Sequence, residues 1–165
     1  MIILGIDPGY AILGYGIIDA RGTSLSALEY GIIKTGDEYS FPERLEKLYS
    51  AVRELAKTYR IDHAAFEELF FCRNSATAIQ VGAGRGVAIL AIQQLGLPMY
   101  EYTPMQIKLA VTGNGHADKK QVQRMVKILL GLDCIPRPDD AADALGAALC
   151  HANTSGPCRN DFIIK

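Results

Sequence analysis

The sequence predicts an α/β domain in which a mixed five-stranded sheet is flanked by helices. Three β-rich runs at the start are joined by turns short enough to favour antiparallel pairing. Two further short apolar runs follow, set among segments of helical period. A length of 165 residues, 49% hydrophobic and 21% charged, suits one domain large enough to bury a core.

Residues 2–7, about 12–19 and about 26–34 are the first three strands, with Pro8-Gly9 and Arg21-Gly22 at the turns. The period changes in SFPERLEKLYSAVRELAKTYR, where Leu45, Leu48, Val52, Leu55 and Tyr59 make one stripe. Ser40 with Glu43 forms a capping box there, and Pro42 suits a first turn. IDHAAFEELFF reads as the fourth strand, and a long helix runs from about Ser75 to Leu95, where Gly96 and Pro98 stop it. Its GAGRGVA centre lies inside a helical pattern rather than between strand and helix, so it is no dinucleotide loop. Small residues there suit close helix approach, in the core or across a dimer interface. PMYEY is a fifth short strand, followed by short helices over TPMQIKLAVTG and Lys119–Leu130. DDAADALGAALCHA is the last helix, with Ala142, Leu145, Ala148 and Leu149 facing inward. The order βββαβαβα is the arrangement of the ribonuclease H-like fold.

Composition excludes several classes. Met1 leads into a strand without a basic leader, and no apolar run is long enough to span a bilayer, so a cytoplasmic protein with no membrane contact is expected. Cys72, Cys134, Cys150 and Cys158 contain no CxxC pair and read as reduced thiols. Net charge is −1, but six basic residues stand against Asp118 and Asp133 between Lys108 and Pro138. Charge is therefore segregated, with acids at strand ends and bases on a later loop and helix. A solvated helix face accounts for Arg124 and Lys127; it accounts less well for Lys108 and the Lys119-Lys120 pair beside a glycine loop.

The acids carry the functional signal. Asp7 closes the first strand, Glu67-Glu68 lies near the end of the fourth, and Asp140 and Asp143 share a face near the start of the last helix. Singly, each has a plain explanation: Asp7 opens a Pro-Gly turn, and Asp139 or Asp140 caps a helix. Together, several carboxylates in one small space repel each other unless protons or a divalent cation hold them. Oxygen ligands without matching His or Cys suit Mg²⁺ or Mn²⁺, and two such ions are the usual device of phosphodiester hydrolysis. Alternation along the strand leaves the choice between Glu67 and Glu68 open, because both faces of such a strand are covered.

Four blocks, GIDPGYAILGYGII, FEELFFCRNSATAIQVGAGRGVAILA, IKLAVTGNGHADKKQVQRMV and DDAADALGAALCHA, stand in an order that resembles the RuvC family of Holliday-junction resolvases over nearly the whole chain. The resemblance implies an endonuclease that makes paired symmetric nicks in four-way DNA junctions during recombination and repair. It implies Mg²⁺ (or Mn²⁺) as cofactor, two ions per active site, and a homodimer. It also implies a branch-migration helicase and its junction-binding subunit (RuvB and RuvA) as partners. Its motifs select Asp7, Glu67, Asp140 and Asp143 as metal ligands and Lys108 and Lys119 as catalytic lysines near the scissile phosphate. Phe70 is implied to stack on a junction base, while Arg73, Asn74, Lys108, Lys119 and Lys120 contact DNA. The nuclease domain is expected over residues 1–153, with 154–165 as a tail, and the Gly82/Gly84/Gly86 helix is the candidate dimer face.

Two other readings compete. Sugar kinases, actin and heat-shock ATPases share a G-x-D-x-G strand–turn–strand, but they need two such domains around a nucleotide. A non-catalytic junction binder on the same fold is the second, and a full acid set argues against it.

Overall fold

The computed structural model describes residues 1–69, 75–154 and 156–164. Its sheet holds β1 (Ile2–Asp7), β2 (Ile12–Arg21), β3 (Ser24–Lys34), β4 (His63–Glu67) and β5 (Met99–Tyr102). They lie in the order β3-β2-β1-β4-β5. β1 pairs antiparallel with β2 and parallel with β4, and β5 adds parallel to β4. The predicted mixed five-stranded sheet is what the chain forms. The first strand matches the expected bounds, β2 and β3 each run two residues longer, and β4 ends at Glu67.

The helices are α1 (Phe41–Thr58), α2 (Ser75–Gln93), α3 (Pro104–Thr112), α4 (Lys119–Leu129), α5 (Asp139–Asn153) and the short α6 (Gly156–Arg159). Local chemistry fixes their starts. At α1 the Glu43 carboxylate accepts the Ser40 N–H at 2.7 Å and its hydroxyl at 2.6 Å. At α4 the Gln121 N–H donates to Asp118 at 2.9 Å, and the Gln121 side chain accepts from the Asp118 N–H at 2.9 Å. That box makes Lys119 the first residue of its helix. Gly113 ends α3 with φ 76°, a left-handed cap suited to glycine.

Alternation along the strands sorts the core into two layers. Leu4, Ile6, Leu13, Ile17, Ala64 and Phe66 face α1 and α2. Ile3, Ile18, Ala65, Tyr100 and Tyr102 face α3, α4 and α5. On this second face the sheet is made nearly flat by glycine. Gly5 stands opposite Gly16, and Asp7 opposite Gly14. A Cβ on Gly5 would lie 1.9 Å from the Ala144 carbonyl oxygen, and one on Gly14 would lie 2.1 Å from that of Asp140. α5 therefore rests with its backbone on the strands, which explains why it is almost wholly buried and rich in alanine.

At the far end of α5, His151 is fully buried, its ring nitrogens 2.8 Å from His63 Nδ1 and 2.7 Å from the Tyr102 hydroxyl. Burial, with Arg159 and His63 nearby, pushes its pKa down to about 3, so it sits there neutral. Beyond Thr154, α6 and a 3-10 turn (Asn160–Phe162) bring Phe162 against Tyr102 at 4.9 Å, and Ile163 bridges to Tyr100.

Candidate active site

Glu67 and Glu68 are told apart by register. His63, Ala65 and Glu67 alternate onto the α5 face, and Ile6 pairs with Phe66, so Glu67 ends β4 abreast of Asp7 at the end of β1. Glu68 lies past the strand, its N–H donating to the Tyr102 carbonyl at 2.9 Å. The sheet thus sets Asp7 and Glu67 side by side on the face that α5 covers.

α5 brings the other two acids. Asp140 is pressed against Gly14, the ladder partner of Asp7. Asp143, one turn on, lines a cleft of about 260 Å³ with Glu67, Lys108, Lys119, Pro104 and Val122. The fit needs both a glycine at position 14 and a helix otherwise made of small apolar residues.

The electrostatics are those of underneutralised acids. Burial, then the charges of Asp143 and Asp140, pushes Asp7 up to about 7. Burial, then Asp7 and Asp143, pushes Glu67 up to about 8, with Lys119 and Lys108 opposing. Burial also raises Asp143, although Lys119 donates to it at 2.9 Å. For Lys119 itself burial works downward, but the bond and charge of Asp143 outweigh it and hold the ammonium above its ordinary value. Shifts of this kind, in a cleft, mark functional acids.

A second carboxylate, which sequence reasoning treated only as a helix cap, organises the lysine. Asp139 lies 3.5 Å from Lys119 Nζ and 3.8 Å from Arg137, and accepts from the Gln123 side chain at 2.9 Å. Gln123 is nearly buried, so this amide fixes Asp139 from inside α4. A polar residue on the buried face of an amphipathic helix was the available signal.

Lys120 is exposed and lines a separate cleft with Lys119. Phe70, Arg73 and Asn74 lie outside the described residues. The acids brought together are therefore Asp7, Glu67, Asp140 and Asp143, with Lys108 and Lys119 beside them. They form a hard all-oxygen donor set, partly desolvated and short of positive charge, which suits a divalent cation. Among the described residues no three His, Cys, Asp or Glu side chains close around a common point. Holding an ion therefore requires these side chains to draw in, with Lys119 yielding Asp143.

The raised values predict a pH dependence. The folded protein holds the Asp7 and Glu67 protons more tightly than the unfolded chain, whose values lie near 3.8 and 4.5. The stability they contribute is full below those values and lost as pH rises through about 7 and about 8. In EDTA, the thermal midpoint should fall between about pH 5 and about pH 8 more steeply for the natural chain than for Asp7→Asn/Glu67→Gln. Added Ca²⁺ should reduce the difference. Parallel pH profiles for the two proteins would contradict the assignment of buried, uncompensated acids.

A sheet in this order, with carboxylates at the ends of β1 and β4 and a helix start closing over them, defines a ribonuclease H-like protein built for metal-assisted phosphodiester chemistry. The family model "Crossover junction endodeoxyribonuclease RuvC" matches residues 3–151, and the chain belongs to that family. A relative of that description from Desulfitobacterium hafniense (strain DSM 10664 / DCB-2) is 54% identical over 154 residues, 93% of each chain. One from Alkaliphilus metalliredigens (strain QYMF) is 52% identical over 165 residues, the whole of both. The solved "T. thermophilus RuvC in complex with Holliday junction substrate" is 36% identical, with a TM-score of 0.85 over 93% of this chain and 94% of that one.

Proposed function

We propose that the chain is a Holliday-junction resolvase, an endonuclease that makes paired symmetric nicks in four-way DNA junctions with Mg²⁺ as cofactor. The observation that carries this reading is the seating of α5 on the glycine face of β1 and β2. That seating gathers acids from three distant parts of the chain beside Lys108 and Lys119.

Asp7, Glu67, Asp140 and Asp143 would hold two divalent ions. Such ions supply an activated water and a stabilised leaving oxygen. Lys119, drawn off Asp143 and steadied by Asp139, presents its remaining donors to the scissile phosphate. Lys108, lining the same cleft, adds a second point charge where negative charge develops. Phe70 stacks on an unpaired base at the junction centre, with Arg73, Asn74 and Lys120 on the backbone, a stacking contact worth about 1–3 kcal/mol. The nuclease unit spans residues 1–153, with 154–165 as a tail.

Two equivalent cuts call for two equivalent sites, which a C2 dimer supplies. The outer face of α2 suits that contact. Ile79 is 71% and Leu90 48% exposed, and a Cβ added at Gly82 or Gly86 would meet nothing within 4 Å. Gly84 points inward, against the Gly9 backbone and Leu48, and serves the fold. Among the described residues no helix is long and apolar enough to cross a membrane, in keeping with work on DNA in the cytoplasm beside RuvA and RuvB.

The test is a synthetic four-way junction incubated with the protein in Mg²⁺ and then in Ca²⁺, with a linear duplex alongside. Paired nicks at symmetric positions in the junction, in Mg²⁺ alone, are expected. Tight junction binding without nicking in either ion would instead make the protein a binding module.

A further inference from the structure

Beside the acidic cleft lies a second one, of about 440 Å³, lined by Lys119, Lys120, Gln123, Arg124, Ile135, Arg137 and Asp139. Four cations line it beside a single carboxylate. Asp139 engages Lys119 at 3.5 Å and Arg137 at 3.8 Å. Among the described residues, Lys120 and Arg124 have no ion pair. Like charges crowded into one hollow repel each other, and the cheapest relief is an anion.

The two clefts share Lys119 as a common wall. They are neighbouring stretches of one surface, and charge changes along it, from carboxylates at the reaction centre to guanidinium groups beyond. From Lys119 to Arg124, five residues of α4 advance roughly 7.5 Å along the helix axis, so the cleft extends away from the acids. Arg137, on the loop before α5, lines the same cleft.

We infer that this cleft, through Arg124 and Arg137, grips the DNA backbone flanking the cut. The inference rests on the junction-cleavage reading and adds a binding element to it. Arg124 is then no mere solvated position on a helix face: with Arg137 it lines a hollow already rich in positive charge. Guanidinium groups suit the role because each grips phosphate oxygens with two parallel N–H bonds.

The experiment measures binding of the full chain to a four-way junction in Ca²⁺ at several salt concentrations. Each phosphate contact contributes about 0.9 to the slope of log K against log salt. Arg124→Gln/Arg137→Gln should lower that slope by about 1.8, so that its affinity falls about tenfold less than the natural chain's between 50 and 200 mM salt. Arg124→Lys/Arg137→Lys keeps both charges and should keep the slope. If the double variant fails to fold, each single arginine variant should still lower the slope by about 0.9. An unchanged slope in a folded variant, with the natural chain cutting junctions normally, overturns this inference alone and leaves the cations to an acidic protein partner. A natural chain that neither binds nor nicks junctions overturns the functional reading beneath it as well.

Discussion

Asp7→Asn is expected to abolish junction cleavage while leaving junction binding largely intact. The carboxylate lies at the end of β1 among three other acids, and burial, then Asp143 and Asp140, raise its pKa to about 7. Its position serves no evident packing purpose, and an amide in its place removes a charge that two other carboxylates repel. An isosteric amide cannot neutralise a divalent cation. Groups that merely orient metal ligands are worth about 10–100-fold in affinity or activity. Loss of a ligand itself should exceed the upper end of that range. Binding, by contrast, draws on the lysines and arginines around the cleft, which the substitution leaves in place. Stability should move the other way from activity: in EDTA above about pH 7, the variant should melt no lower than the natural chain, since it loses a buried, poorly compensated charge. The measurements are single-turnover cleavage in Mg²⁺, junction binding in Ca²⁺ and thermal melting in EDTA. Cleavage within tenfold of the natural chain would remove Asp7 from the reaction centre.

Much of this was legible in the sequence, and the residues show why. Ser40 with Glu43 marks a helix start with local hydrogen bonds, and local bonds need nothing from the rest of the chain. The mixed sheet followed from turn length and period alone. Asp143 stood out because an acid on an alanine–leucine helix has no local excuse. Other features depended on register, which the sequence does not state. Glu67 and Glu68 are equivalent neighbours in the sequence; the pairing of β4 with β1 puts Glu67 on the α5 face at the strand's end and leaves Glu68 beyond it. The length expected of β4 was too great because EELFF continues the β-rich character past the last residue that pairs. The clamp of Gln123 on Asp139 joins two helices: a polar residue on the buried face of α4 calls for a partner, but nothing in either helix names Asp139 as that partner. The same is true of Arg124 and Arg137, which become neighbours only when α4 and the loop before α5 are placed together. Tertiary contact between distant segments is what the sequence leaves unstated.

Gly14→Ala should disable the enzyme by way of the same contact. The added methyl would lie 2.1 Å from the Asp140 carbonyl oxygen and 3.0 Å from its Cβ. A side-chain neighbour can swing aside, but a helix carbonyl moves only with its helix, so the first turn of α5 must lift from the sheet. Asp140 and Asp143 then part from Asp7 and Glu67, which the pairing of β1 with β4 holds in place. Displacement of reacting groups by about 1 Å costs on the order of 100-fold in rate, and cleavage should fall by that much. The methyl overpacks one contact, a strain of about 1–3 kcal/mol, so the variant should fold with a lowered thermal midpoint. Junction binding in Ca²⁺ should change only a few-fold, since the basic residues of α3 and α4 do not rest on Gly14. Gly31→Ala separates the two effects. Its methyl would meet the far end of the Tyr15 side chain, 2.9 Å from the hydroxyl, on β3 and away from the acids; the ring can shift, so stability should fall modestly at most and cleavage should persist. Equal loss of cleavage in both glycine variants would mean that general destabilisation is responsible. Selective loss in Gly14→Ala would show that the bare strand surface beneath α5 is a catalytic requirement, imposed by the need to bring a helix backbone against the sheet and two carboxylates with it.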